Sequence, residues 1–172
     1  MLGDPTEGAL LVAAAREGLR KNELEEILPR VGEIPFDSSR KRMTTIHRMS
    51  SGDSQAAQIM EPLIKRMSGH QNPYIAFTKG AVDGLLEISK FVWADDHVEP
   101  LTEAWKERIL AANRQLAQNG MRVLGLAFNS FQAQPGGMDG ERDLIFVGLA
   151  GMLDPPRPEA REAALRLMVR CR

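Results

Sequence analysis

At 172 residues and 43% hydrophobic, the chain is long enough to bury a core, and one main domain is the default reading. A formal net charge of -1 gives no broad electrostatic attraction to nucleic acid or to an anionic membrane surface. The single cysteine, Cys171, excludes an internal disulfide and suits a reducing compartment.

The longest apolar stretches, Ala9–Ala15 and Leu144–Leu153, fall short of the roughly 20 residues a bilayer span needs. No basic, apolar, then small-residue leader opens the chain, so the sequence reads as soluble and cytosolic. The first element is a helix: Asp4 suits the N-cap, Pro5 the first helical position, and Glu7 stands three residues after the cap. Ala9–Leu19 is apolar on nearly every side, which predicts a helix covered all round. Lys21–Arg30, containing Pro29, reads as a polar connection. Val31–Phe36 and Met43–Met49 read as neighbouring strands with Asp37–Arg42 as the polar turn between them.

Ser51–Asn72 mixes serines and glycines with a short helical pattern at Ala56, Ile59, Met60, Leu63, Ile64 and Met67. Pro73–Lys79 is a strand that breaks at Gly80 into the helix Val82–Ile88. Phe91–Val98 reads as one further short strand. Thr102 caps a helix whose Trp105, Ile109, Ala112 and Leu116 form a stripe, and Asn119-Gly120 closes it. Arg122–Asn129 and Leu144–Leu153 are two more strands, joined by a flexible loop, Pro135–Gly140. The second is continuously apolar, as a central strand covered on both faces would be. Pro155, Pro156 and Pro158 stiffen a connector before the helical Glu159–Val169. The expected fold is mixed α+β: one largely antiparallel sheet flanked by helices.

Several residues carry two readings. Phe36, beside a cationic turn, is either a core aromatic or a stacking platform for a purine, worth about 1–3 kcal/mol in nucleic-acid systems. Lys79 stands where a strand becomes a helix, with Gly80 allowing close approach. It is either a sheet-edge lysine or an anion ligand, although the G-x-x-x-x-G-K-[ST] phosphate loop is absent. Glu7 is either a capping-box carboxylate or an acceptor for an exocyclic amine. Arg40-Lys41-Arg42 reads first as a solvated turn, with a nucleic-acid patch or a phosphate contact as alternatives. Arg122 opens a strand after a glycine-containing turn, facing solvent or a phosphate. His47, His70 and His97 are far apart and without ligand spacing, so no zinc site is expected. No nucleophile with its base stands out, so no catalytic residue is assigned.

Five motifs occur in order: Gly3-Asp4-Pro5-Thr6-Glu7-Gly8-Ala9-Leu10, Pro35-Phe36-Asp37-Ser38-Ser39-Arg40-Lys41-Arg42-Met43, Lys79-Gly80-Ala81, Met121-Arg122-Val123-Leu124-Gly125-Leu126-Ala127, and Gly151-Met152-Leu153-Asp154-Pro155-Pro156-Arg157. The series resembles the nucleotide-binding domain of P-type cation-transporting ATPases, particularly the calcium and sodium/potassium pump branch, over Gly3 to Pro158. The resemblance implies that Glu7 lies near the adenine amine and Phe36 stacks on the ring. It further implies that Lys79 closes the adenine pocket beside Gly80, that Arg122 reaches the phosphates, and that Lys41 lies near the nucleotide. Asp154 and Pro155 match the hinge back to the phosphorylation domain. Val82 stands where many relatives have proline.

The Asp-Lys-Thr-Gly-Thr segment of that family, its actuator loop and its transmembrane helices are absent from the sequence. The chain therefore reads as an excised piece, 1–154 being the nucleotide-binding domain, without its first strands, and 155–172 a hinge and stub of the phosphorylation domain. The implied ligand is ATP, with Mg2+ bound mainly by the phosphorylation domain. The implied partners are the phosphorylation and actuator domains, at the cytoplasmic face of a calcium pump, with no nucleic acid and no membrane insertion of the piece itself. By itself the piece is expected to be inactive. Two rivals stay open: a nucleic-acid binder using Arg40–Arg42, and a regulatory module with a vestigial pocket.

Overall fold

The computed structural model describes residues 5–49 and 72–153. Its centre is a seven-stranded sheet in the order β1-β2-β3-β6-β7-β4-β5, formed by Arg30–Asp37 (β1), Arg42–Arg48 (β2), Tyr74–Gly80 (β3), Ser89–Ala94 (β4), His97–Pro100 (β5), Arg122–Phe131 (β6) and Leu144–Met152 (β7). Every neighbouring pair is antiparallel except β4 with β7, which are parallel. The expected mixed α+β class is what the chain adopts.

Two apolar clusters sit on opposite faces, as the twofold alternation of strand side chains requires. On one face, helices α3 (Val82–Glu87) and α4 (Glu103–Gln118) bring Val82, Leu85, Leu86 and Ile109 against Ala127 and Phe146. On the other, Ile75, Phe128 and Ile145 pack against Ile27 and Leu28. These last two end α2 (Lys21–Ile27), where a polar connection was expected. Leu24, Ile27 and Leu28 supply one apolar face in two turns, too short a run to stand out among four charged neighbours.

Other expectations are corrected by what covers each element. Helix α1 (Pro5–Arg16) is not covered all round: Leu11 and Val12 are 47% and 54% exposed. Its alanines hold the helix by intrinsic propensity. Gly18, at φ 79°, ends it, with the Leu19 N–H reaching back to Ala14 O. Strand β7 is buried at Leu144–Phe146, but Val147 is exposed, so the strand is not covered on both faces. The expected strand Phe91–Val98 is a hairpin, because Asp95 and Asp96 both take the left-handed conformation that a tight two-residue turn needs. The loop expected to be flexible contains a 3-10 turn, Gly137–Glu141, whose last two residues are buried against the sheet. Thr102 caps α4 as expected, while Ala112 lies off the covered stripe and is exposed. The Asp4 cap, the helical pattern within 51–72, the hinge and the helix at 159–169 lie outside the described residues.

Candidate functional site

Register decides which side chains share a surface. Met43 stands opposite Lys79, and Lys79 opposite Leu126, so these three project from one face of adjacent strands. On β1, Ile34 pairs with Thr44 and Asp37 with Arg42, so three steps on β1 match two on β2. That extra residue is a β-bulge, and it leaves Pro35 and Phe36 facing Met43. Counting back from the Asp37–Arg42 pair puts Phe36 on the face of Met43 and Lys79. Phe36 is 63% exposed and so belongs to the surface, not the core.

Helix α1 crosses this same face. The Lys79 ammonium donates to Glu7 Oε1 on its first turn. Arg122 Nη1 donates to Thr6 Oγ1 at 3.4 Å. Beneath α1 lies an open recess of about 630 Å³ whose lining includes Glu7, Leu11, Phe77, Lys79, Leu126 and the exposed Val147. Phe36, Lys41, Gly80 and Arg122 are not part of that lining. The structure thus joins Glu7 to Lys79 and sets Arg122 beside them, with Phe36 on the same sheet face but outside the recess. His47, also on this face, has its pKa lowered by burial against a hydrogen bond to Leu28 O that raises it, so it adds no charge at neutral pH.

Gly80 has a use that sequence reasoning did not identify. A Cβ there would stand 2.5 Å from Arg42 Cβ and 2.6 Å from Lys41 O. The close approach it permits is that of β2, on the face away from Lys79. Lys41 is exposed at φ 51°, its N–H donating to Asp37 O and its carbonyl accepting from the Ala81 N–H.

The Asp37–Arg42 turn is not merely solvated. Arg40 Nη1 donates to both carboxylate oxygens of Glu141, at 2.7 and 2.6 Å, and Arg42 Nε donates at 2.8 Å. Glu141 is 4% exposed. Burial pushes its carboxyl up, but the Arg40 and Arg42 hydrogen bonds and the Arg42 charge outweigh that and hold its pKa below the usual carboxylate value. Nothing local marked Glu141, because its partners lie 97 to 101 positions away. With both arginines paired internally, the triplet offers Lys41 alone as an exposed cation, which counts against a nucleic-acid patch.

Among the described residues, no group of three His, Cys, Asp or Glu side chains is placed to hold a metal ion, and no helix is long and apolar enough to cross a membrane. Comparison with known proteins bears on the whole arrangement. The model of the family P-type ATPase, cytoplasmic domain N, matches residues 1–159. Calcium-transporting ATPase 1 of Bacillus cereus is 38% identical over 162 residues, covering 94% of this chain and 16% of the relative. The calcium-transporting ATPase of Bacillus subtilis is 34% identical over 163 residues, with the same coverage, 94% and 16%. Probable cation-transporting ATPase F of Mycobacterium bovis is 32% identical over 167 residues, covering 95% and 16%. The chain spans 16% of the length of these curated relatives. A family match over nearly the whole chain, agreeing with the mixed sheet and the motif order, leaves one conclusion: the chain belongs to the family of P-type ATPase cytoplasmic N domains.

Proposed function

We propose that this chain is the ATP-holding module of a cation pump, of the calcium-transporting kind that two of the relatives are named for. The observation that carries the reading is the meeting of Glu7, Lys79 and Arg122 at the first turn of α1, on the sheet face that also presents Phe36. A purine ring stacks on Phe36, its exocyclic amine donates to Glu7, and Lys79 closes over it. Arg122 and the exposed Lys41 take the phosphates.

Lys79 and Glu7 are partly exposed, so their ion pair is worth at most about 1 kcal/mol and yields easily to a ligand. One stacked ring and a few charge-assisted contacts on an open face support ~4–5 kcal/mol, a dissociation constant on the order of a millimolar. Weak holding suits a carrier that must deliver its γ-phosphoryl group. That group passes to an aspartate carboxylate on a separate phosphorylation domain at the cytoplasmic face, with ADP leaving. Mg2+ would supply neutralisation of the phosphate charge and would be held mainly by the other domain.

Equilibrium dialysis of ATP against the 172-residue chain tests the reading. Retention by the wild type that is lost in Lys79→Ala supports it, and equal retention by both chains contradicts it. Steady phosphate release surviving substitution of both Lys79 and Arg122 contradicts the assignment of a carrier without its own catalytic centre.

A further inference from the structure

We infer that Glu141 is a positioning residue for the nucleotide surface, fixing Phe36, Lys41 and Lys79 from the opposite face of the sheet, an inference that rests on the function proposed above. Three hydrogen-bonded routes leave its buried carboxylate. The first runs through Arg40, whose Nη2 donates at 3.0 Å to the carbonyl of Pro35, the residue before Phe36. The second runs through Arg42, the neighbour of Lys41. The third runs through Thr44, which donates to Glu141 Oε1 at 3.1 Å. Because the single Thr44 proton goes to the carboxylate, Thr78 must be the donor in the 2.8 Å Thr44–Thr78 contact. Thr78, 2% exposed, immediately precedes Lys79.

Each route ends on the backbone next to a ligand-facing side chain. Strand alternation sends Thr44 and Thr78 to the Glu141 face and Met43 and Lys79 to the other. Glu141 therefore touches no ligand. It holds two arginines and a threonine whose main chain aims the residues that do. The turn needs an outside anchor, since it combines a bulge at Pro35–Phe36 with a left-handed Lys41. Asp37 secures its other side, accepting from the Ser39 and Arg40 N–H groups.

The test compares the full-length wild type, Glu141→Gln and a control, Val92→Ala. Val92 is buried in β4, remote from the turn in the sheet order, and its truncation loosens the core without touching the network. In the ligand-free chains, hydrogen exchange at the Lys41 and Ala81 amides is measured relative to the Phe128 amide. Exchange that is faster at both sites in Glu141→Gln, and unchanged in that ratio in Val92→Ala, is the expected result. On ATP titration, the dissociation constant rises roughly 2- to 30-fold in Glu141→Gln, with a smaller adenine-induced shift of the Phe36 ring signals, and stays at the wild-type value in Val92→Ala.

Wild-type exchange and affinity in Glu141→Gln overturn the inference. So does an equal loss in Val92→Ala, which would make the effect one of general stability. Thr44→Val, which removes one of the four bonds to the carboxylate, replaces Glu141→Gln should that variant fail to fold, with the same expected directions and smaller size. A wild type that holds no ATP overturns the proposed function, and the exchange comparison then decides alone whether Glu141 holds the turn.

Discussion

Glu7, on the first turn of α1, and Lys79, on β3, are 72 positions apart and joined by a charged hydrogen bond above one face of the sheet. A carboxylate there accepts from an adenine amine but has nothing to offer the carbonyl oxygen of hypoxanthine. A glutamine can donate to that oxygen. The chain is therefore expected to prefer ATP to inosine triphosphate several-fold, and Glu7→Gln is expected to narrow the ratio while leaving thermal stability within about 1 kcal/mol. Paired titrations with the two nucleotides check this.

Phe36→Ala separates binding from folding. The ring is largely exposed, so stability is expected to change by no more than about 0.5 kcal/mol. Loss of stacking removes about 1–3 kcal/mol of binding, enough to abolish measurable retention of a millimolar ligand. Denaturant unfolding and ATP dialysis of the same preparation read the two effects.

Gly80→Ala is expected to weaken folding as well as binding. Its new methyl group would meet the Lys41 carbonyl and the Arg42 Cα and Cβ at 2.5 to 2.8 Å, so backbone must move. Overpacking of this kind costs about 1–3 kcal/mol, measured as a lower denaturation midpoint. ATP affinity falls too, because the displaced segment includes Lys41.

Acid acts on Glu141 with a defined sign. Its folded pKa lies below the unfolded value, so the native state binds fewer protons there than the unfolded chain. The stability it contributes is complete above the unfolded carboxylate range, near about 4.3, and is lost as pH falls through the lower folded value. Unfolding midpoints followed from pH 7 downwards are expected to drop less steeply below that range in Glu141→Gln than in the wild type. Asp37, also lowered, first by the Ser39 hydroxyl, contributes in the same direction in both chains.

What the sequence made legible follows from the range of each signal. Strands β1, β2, β3, β6 and β7 were marked by apolar runs and local turn residues, and appear within a few residues of their expected places. The Thr102 cap and the Gly120 helix end are equally local and hold. The helix α2 and the Asp95–Asp96 turn were missed because seven residues of mixed charge and a glycine-free turn carry little local signal. At the site, residue order pointed to Glu7, Phe36, Lys79 and Arg122, while the roles of Gly80 and Glu141 depend on contacts between separate strands. Glu141 in particular looked like one more acidic residue in a loop. Only the fold brings Arg40, Arg42 and Thr44 to it.

We take Glu7, Phe36, Lys79 and Arg122 to form one nucleotide surface. Backbone and aromatic NMR signals followed during ATP titration of the 172-residue chain test it most directly. Signals of all four residues are expected to move together along a single curve, with a midpoint on the order of a millimolar. An unchanged spectrum at several millimolar ATP, or shifts confined to Arg40–Arg42, would contradict it.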